Sequence, residues 1–344
     1  MSTSDFSRER PTNVSLVVPV GPDSLELPRC LASLRALDPS PLEIVVVCDG
    51  AGEAAEQAAR DSGAGVLRLN GPFGPARARN EGARAARGAI LLFLDSDVEA
   101  PPGLVGRVAA AMEAAPDLAA LIGSYDDDPA DPAFLSQYRN LLHHYVHQTS
   151  AREARTFWGA CGAIRRDVFL AAAGFDESYR TPSIEDVELG YRLTRAGHRI
   201  RLEPTLQVRH LKRWKAWPLL KTDVLRRALP WTRLILREGR LGGDLNLRGS
   251  ARATSAALLL AMLALPAAAW RGEALLAVPP LLAIAWALNA HFYRFLARRR
   301  GVLFALRAVP WHWFYFLYSS VAFAFGTAHY ALTSGWRPEP RDRA

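Results

Sequence analysis

From Met1 to about Gly249 short apolar runs alternate with charged stretches, whereas from Ala251 onward long segments carry almost no charge. The first regime is that of a water-soluble domain and the second that of helices placed in hydrocarbon, with a boundary expected near Leu245–Arg252. Val14–Val20 and Glu43–Val47 are valine-rich runs, each followed by turn residues, Gly21-Pro22-Asp23 and Asp49-Gly50-Ala51-Gly52, and each predicts a buried parallel strand. Between them Leu27, Leu31, Leu34 and Leu37 form a helical stripe in Leu25–Leu37, and Ala54–Arg60 and Ala76–Arg87 predict further helices. Ala89–Leu94 is an apolar run of strand length that stops at two acids, Asp95 and Asp97. Strand alternating with helix predicts an α/β, Rossmann-like, doubly wound nucleotide-binding sheet.

In the second regime Ala253–Trp270 and Ala274–Ala290 each approach the length that spans hydrocarbon, joined by the turn Arg271-Gly272-Glu273. A third segment, Val309–Leu332, is long and aromatic with His312 and His329 near its ends, and either spans or re-enters. Arg248 and Arg252 precede the first span and Arg294–Arg300 follow the second, so the positive-inside rule places both flanks and the soluble domain in the cytoplasm of a multi-pass protein of the cell (inner) membrane. Trp214–Arg240 mixes Trp217, Leu225 and Trp231 with Lys221, Arg226 and Arg233, and Pro230 is expected to kink it. Such a segment either lies in the membrane interface or packs on the soluble domain.

Composition changes this picture little. Of 344 residues half are hydrophobic, enough for a large core and a second module. The net charge of +8 would suit nucleic acid, but many of the arginines flank the apolar segments, so a membrane and no nucleic acid is expected. Cys30, Cys48 and Cys161 share no metal-ligand spacing and imply no disulfide framework. Met1–Asn13 is polar, lacks the apolar core of a secretory signal, and is expected to be a mobile tail. The expected division is therefore a tail (1–13), a catalytic domain (14–212), an interfacial segment (213–250), membrane helices (251–335) and a last tail (336–344).

The chemistry begins at Asp95 and Asp97. In an extended chain residues i and i+2 point to the same side, and two hard oxygen ligands at the carboxyl end of a strand suit Mg²⁺ or Mn²⁺ on a diphosphate. A polar turn capping the helix after Pro101-Pro102 would use the same residues. Gly74–Gly82 places Arg77, Arg79 and Asn80 at a helix start, where free N–H groups and guanidinium charge favour phosphate; Arg84 and Arg87 fit a solvated face. His143 and His147 are one helical turn apart without a third ligand, which fits an ordinary polar helix face.

VSLVVPV, LPRCLASLRAL, EIVVVCDGAG, GPARARNEGARAARGAILLFLDSDV, GACGAIRRDVF, GFDE, IEDVELGYRL and HLKRW follow one another in an order that resembles the family 2 glycosyltransferases of the GT-A fold, over roughly 13–214. The later segment resembles the multi-helix membrane tails of some members. The resemblance implies a nucleotide-diphosphate sugar as donor and Mg²⁺ or Mn²⁺ as cofactor, with the anchor pointing to a lipid or lipid-linked acceptor. Asp49 would contact the nucleoside, though a turn-forming Asp-Gly uses the same residue and Cys48 stands where the family more often has an acid. Asp97 would bind the metal, and Asp95 the ribose or the metal's waters. In Glu185-Asp186 the match selects Asp186 as general base with Glu185 as runner-up, against simple charge compensation at a helix start. Asp176 and Glu177 would brace the acceptor loop, and Gly162 would lie at the acceptor. HLKRW is similar to the Q-x-x-R-W element of processive members with His210 in place of glutamine, so His210 is either a third metal ligand or a hydrogen-bonded loop histidine. Arg213 would contact the pyrophosphate and Trp214 the acceptor or the bilayer. The missing glutamine and the lack of a span before the catalytic domain count against an export-coupled polymer synthase; the four acids Asp49, Asp95, Asp97 and Asp186 count against a silent nucleotide-sugar-binding scaffold.

Overall fold

The computed structural model describes residues 12–22, 24–238 and 249–334. The tails expected at 1–13 and 336–344, the expected domain boundary and Arg248 fall wholly or mostly outside the described residues.

The chain divides into two compact units, one within Met1–Asp131 and Ala151–Arg213, the other within Pro132–Ser150 and Trp214–Ala344. In the first, strands β1 (Val14–Val20), β2 (Glu43–Asp49), β3 (Gly65–Leu69), β4 (Ile90–Leu94), β5 (Val98–Glu99), β6 (Leu118–Tyr125), β7 (Glu153–Ala154), β8 (Cys161–Arg165) and β9 (Arg199–His210) form one sheet of order 3-2-1-4-8-6-9-5, with β7 on β9. Helices α1 (Leu27–Arg35), α2 (Glu53–Asp61), α3 (Pro75–Ala85) and α4 (Leu104–Glu113) connect the earlier strands. Helices α6 (Arg166–Ala171) and α7 (Glu185–Arg195) lie between β8 and β9 in the chain, and α5 (Phe134–Thr149) belongs to the other unit.

Both faces of the sheet are buried, and the pleat sorts the side chains. Val14, Leu16, Val18, Leu92 and Leu94 pack with the leucines of α1 and with Val105, Val108 and Met112 of α4. Val17, Leu91 and Phe93 face the opposite way, onto Ala83, Phe157, Phe169 and Leu189. Near-continuous apolar runs are what a sheet covered on both sides requires. The expected strands and helices stand within a few residues of their predicted limits. The sheet is not wholly parallel, however: β3, β2, β1 and β4 run parallel, whereas β8 is antiparallel to both β4 and β6. The antiparallel strand carries Cys161–Arg165, a run too short and too glycine-marked to show its direction in sequence.

The second unit is helical. Residues 216–238 form α8 (Ala216–Lys221), a π-helical stretch Thr222–Ala228, and α9 (Leu229–Glu238). The π stretch ends where Pro230, lacking an N–H, enters the first turn of α9, so the expected kink becomes a local widening of the helix. Helices α10 (Gly249–Ala267), α11 (Val278–Arg300) and α12 (Val302–Ser334) follow, with a short 3₁₀ turn at Gly272–Ala277. The third apolar segment is thus the later part of a helix that starts at Val302, seven residues before Val309. In the same unit α5 packs Tyr138 and Leu141 against Phe292, Leu296 and Val309. His144 and His147 are buried there, His144 stacked on Phe295, so this face is packed and not solvated.

Two stretches among the described residues, Gly249–Ala267 and Gly272–Arg300, are long and apolar enough to cross a membrane. Only 28% and 11% of their apolar windows are buried within the protein, with Leu263, Trp270 and Leu276 largely exposed. A core helix of a water-soluble protein would hide that surface.

Candidate functional site

Strand register assembles the site. Val98 pairs with His210 across β5 and β9, and Leu211 N–H donates to the Asp97 carbonyl at 2.9 Å, which sets the Asp97 side chain beside that of His210. On the other flank Leu94 pairs with Cys161, and the Asp95 N–H reaches the Ala160 carbonyl at 3.4 Å, so the acidic strand end lies against the Gly159–Ala160 loop. The Gly159 N–H in turn donates to Asp186 Oδ2 at 3.1 Å, and the Val187 N–H to Asp186 Oδ1 at 2.8 Å. One sheet edge therefore brings together the two acids of the strand and the two of α7.

Arg79 is the link. Its guanidinium donates through Nη2 to Asp95 Oδ1 at 2.6 Å and through Nη1 to Glu185 Oε1 at 3.0 Å. It is buried, lying 5.5 Å from the Phe175 ring centroid over an aromatic cluster of Phe93, Phe157, Phe169 and Phe175. The nearby carboxylates hold its pKa above the usual arginine value against the cost of burial. Expected at a phosphate, Arg79 has both terminal nitrogens committed to carboxylates and fixes their spacing.

Asn80, also expected at the donor, is buried: Nδ2 donates to the Phe175 carbonyl and to Glu177 Oε1, each at 2.9 Å, and Oδ1 accepts the Phe175 N–H at 2.8 Å. Gly174 beside it has φ +68°, and a Cβ there would come within 2.4 Å of Asn80 Oδ1. Asn80 thus clasps the Gly-Phe-Asp-Glu loop. Arg77, 41% exposed, lies over Phe73 at 4.1 Å and near Glu177, the one arginine of this helix start that faces solvent beside the loop following β3.

Asp49 is buried at the end of β2 and accepts the Phe73 N–H at 2.9 Å and the Gly74 N–H at 2.7 Å. Its oxygens shape the 71–74 loop. Cys48 points the other way, into the core, so its departure from the family pattern falls on a packing position. All three cysteines are buried, and burial pushes the thiols up to about 12 for Cys30, 11 for Cys48 and 12 for Cys161.

Gly162, expected at the acceptor, is buried in β8; a Cβ there would stand 2.3 Å from the Trp158 carbonyl oxygen and 2.6 Å from Phe157 Cζ. The position admits the 157–158 loop onto the sheet, so its lack of a side chain serves packing. Arg213 is 69% exposed, its Nε 3.6 Å from Asp131. Trp214 belongs to the helical unit, where it is buried and donates its N–H to Ser136 Oγ at 2.8 Å, so its ring is not on a surface open to bilayer or acceptor.

Among the described residues no three His, Cys, Asp or Glu side chains converge to hold a metal ion. Asp95 is turned to Arg79, which leaves Asp97 and His210, with Nε2 3.8 Å from Asp97 Oδ2. Asp97 Oδ1 is buried without a hydrogen-bond partner. An orphaned carboxylate oxygen is costly unless something cationic meets it. A cation bound by one or two protein groups and by substrate phosphates fits this arrangement better than an all-protein cage would.

Three groups went unnoticed in the sequence. Lys212 Nζ lies 3.7 Å from Asp97 Oδ2. Tyr125 stacks on His210 at 4.2 Å, and Trp158 meets Tyr125 edge-on at 4.8 Å, next to the Gly159 that anchors Asp186. The signal for Trp158 was present as an aromatic residue immediately before the glycine run of GACGAI.

The two carboxylates of α7 are not equivalent. Glu185 is buried, its Oε1 on Arg79 and its Oε2 accepting the Ser183 N–H at 2.9 Å. Asp186 keeps some exposure, and desolvation by the surrounding protein, reinforced by the negative charge of Glu185, pushes its carboxyl up to about 6.

The model of glycosyl transferase family 2 matches residues 15–171, which contain the strand-terminal acids, Arg79 and Gly159. This match marks residues 15–171 as a family 2 glycosyltransferase domain. The chain is 31% identical over 215 residues to the pre-mycofactocin glycosyltransferase of Mycobacterium tuberculosis (58% of this chain, 42% of that protein). It is 27% identical over 217 residues to the validoxylamine A glucosyltransferase of Streptomyces hygroscopicus subsp. limoneus (52% and 47%). The chain thus spans less than half the length of these curated relatives. In fold it is similar to the mannosyltransferase PcManGT from Pyrobaculum calidifontis, solved with GDP-Man and Mn²⁺, at TM-score 0.54 and 17% identity over 95% of this chain and 89% of that one. GalNAc-T7, solved with UDP, GalNAc and Mn²⁺, is similar at TM-score 0.50 and 17% identity, over 67% and 48%. The unit that carries the sheet has the GT-A fold.

Proposed function

We propose that this protein transfers a sugar from a nucleotide-diphosphate donor to an acceptor hydroxyl by a single, inverting displacement. The observation that carries this reading is the pairing, across one Arg79-braced edge, of an orphaned Asp97 oxygen with a partly exposed Asp186 whose carboxyl is raised to about 6. A displacement at the anomeric carbon needs a proton acceptor on the incoming side and charge stabilisation on the leaving side, and these two acids divide the work. Asp186 takes the acceptor proton: deprotonated above pH 6, its Oδ2 is oriented by the Gly159 N–H and its Oδ1 by the Val187 N–H. Lys212 and Arg77 lend positive charge to the departing diphosphate. Mg²⁺ or Mn²⁺, held by Asp97 and His210 together with the donor's phosphates, would neutralise the charge that develops on the leaving group. Asp49 sets the loop against which the nucleoside rests.

The exposed apolar surface of α10 and α11 supports a membrane anchor, and with it a lipid or lipid-linked acceptor at the cytoplasmic face. A second reading, a soluble acceptor, takes its support from the relatives' names, pre-mycofactocin glycosyltransferase and validoxylamine A glucosyltransferase, neither of which names a lipid.

The test is release of nucleoside diphosphate from a panel of UDP- and GDP-sugars. Excess chelator should abolish it and Mn²⁺ or Mg²⁺ restore it, and Asp97→Asn should lower turnover at least about a hundredfold with the thermal midpoint unchanged. Full turnover in chelator would remove the metal from the reading.

A further inference from the structure

At the C-terminal ends of α5 and α11 the helical unit carries a cavity of about 660 Å³ lined by Tyr145, Gln148, Thr149, His291, Arg294, Phe295, Arg298 and Arg299. Positions 291, 294, 295, 298 and 299 follow helical spacing, so α11 presents Arg294, Arg298 and Arg299 with His291 and Phe295 to the cavity, while Phe292, Tyr293 and Leu296 on its other side fill the core. Among the described residues no carboxylate lines it.

Arginine at a helix end has an ordinary explanation, compensation of the helix dipole, but that effect fades within the last turn. It covers Arg298 and Arg299. It does not reach Arg294 or His291, about one and two turns before Arg298. The lining is mixed in a way that suits a phosphate with an attached apolar stem, since it holds the Arg294, Arg298 and Arg299 guanidinium forks together with the Tyr145 and Phe295 rings. Arg299 also stands 5.9 Å from the Phe295 ring centroid. The same helix begins with the apolar, exposed surface of its membrane-length stretch, so its arginine end is where phospholipid headgroups would be met.

We infer that this cavity is a headgroup site for an anionic phospholipid, in which Arg294, Arg298 and Arg299 bind the phosphate and Tyr145 and Phe295 flank the start of the acyl region. The inference rests on the membrane-anchor reading above and assigns that anchor a specific lipid contact. The phosphate could equally come from a soluble ion, and the test separates the two sources.

The 344-residue chain in detergent would be titrated with dioctanoyl-phosphatidylglycerol, dioctanoyl-phosphatidylcholine or inorganic phosphate, with binding read by native mass spectrometry and by the shift in thermal midpoint. Phosphatidylglycerol should bind at least tenfold more tightly than phosphatidylcholine. Each arginine removed should cost about fivefold, so the Arg294→Gln/Arg298→Gln double variant should lose the preference, whereas Arg271→Gln, a like charge outside the cavity, should keep it. If the double variant does not fold, Arg294→Gln alone gives the same comparison at about fivefold. Equal binding of the two lipids, unaltered binding by the variants, or inorganic phosphate binding as tightly as the lipid would each overturn the proposal. Alkaline extraction of membranes tests the anchor separately: release of the chain would remove the spanning reading, while the lipid titration alone decides the cavity.

Discussion

At the residue scale the site turns on how a few charges share one buried arginine. Arg79→Ala would leave Glu185 buried without its ion partner, and a loss of roughly 3 kcal/mol is expected by denaturant unfolding, the low end for a buried pair because Asp95 is 31% exposed. Arg79→Lys keeps the charge but cannot span both carboxylates, so it should fold and lose kcat more than it raises KM for the donor. A lysine variant with unaltered kcat would reduce Arg79 to a purely structural brace. The raised Asp186 carboxyl gives a pH dependence with a definite sign: the base works deprotonated, so turnover should rise with pH through about 6 and fall away below it. Because Glu185 helps push that value up, Glu185→Gln should move the acidic limb to lower pH, even as it loosens Arg79. A limb that stays in place would mean that the titrating group is elsewhere.

At the element scale, strand ends and helix starts do the positioning. The apolar run ending in Asp95-Ser96-Asp97 was legible because a strand buried on both faces has few other readings, and Val14–Val20 and Glu43–Val47 were legible for the same reason of period and punctuation. Side-chain partners were not. Arg77, Arg79 and Asn80 look alike in sequence as polar residues at a helix start, yet α3 turns only Arg77 toward solvent, since 79 and 80 face the sheet and the loop after α6. Gly162 and Trp214 were assigned by motif position, and their burial depends on the antiparallel register of β8 and on the packing of a helix, α5, donated from between two sheet strands. Neither a two-residue strand such as β5 nor the direction of β8 has a local signature, although the first brings His210 to Asp97 and the second brings the Gly159–Ala160 loop to Asp95. Gly162→Ala is a direct check on that packing. Its Cβ would displace the 157–158 loop, and a drop in stability of about 1–3 kcal/mol is expected by denaturant unfolding, where a neutral result would show the loop to be freely adjustable.

At the scale of the whole molecule, a GT-A unit and a helical unit with largely exposed apolar helices are joined in one chain. Reporter fusions to the full chain at 271–273 should face outward, and fusions after Glu238 and near Arg299 should face the cytoplasm; a cytoplasmic 271–273 turn would break the membrane hairpin and leave the soluble-acceptor reading in possession. The central claim, that Asp186 is the base of a sugar transfer, is met most directly by one comparison. Donor binding by calorimetry and turnover by diphosphate release would be measured side by side for the wild-type chain and Asp186→Asn. Turnover should fall about 10²–10⁴-fold while donor affinity stays within a few-fold of wild type. An Asp186→Asn chain that turns over normally, or one that loses the donor, would contradict it.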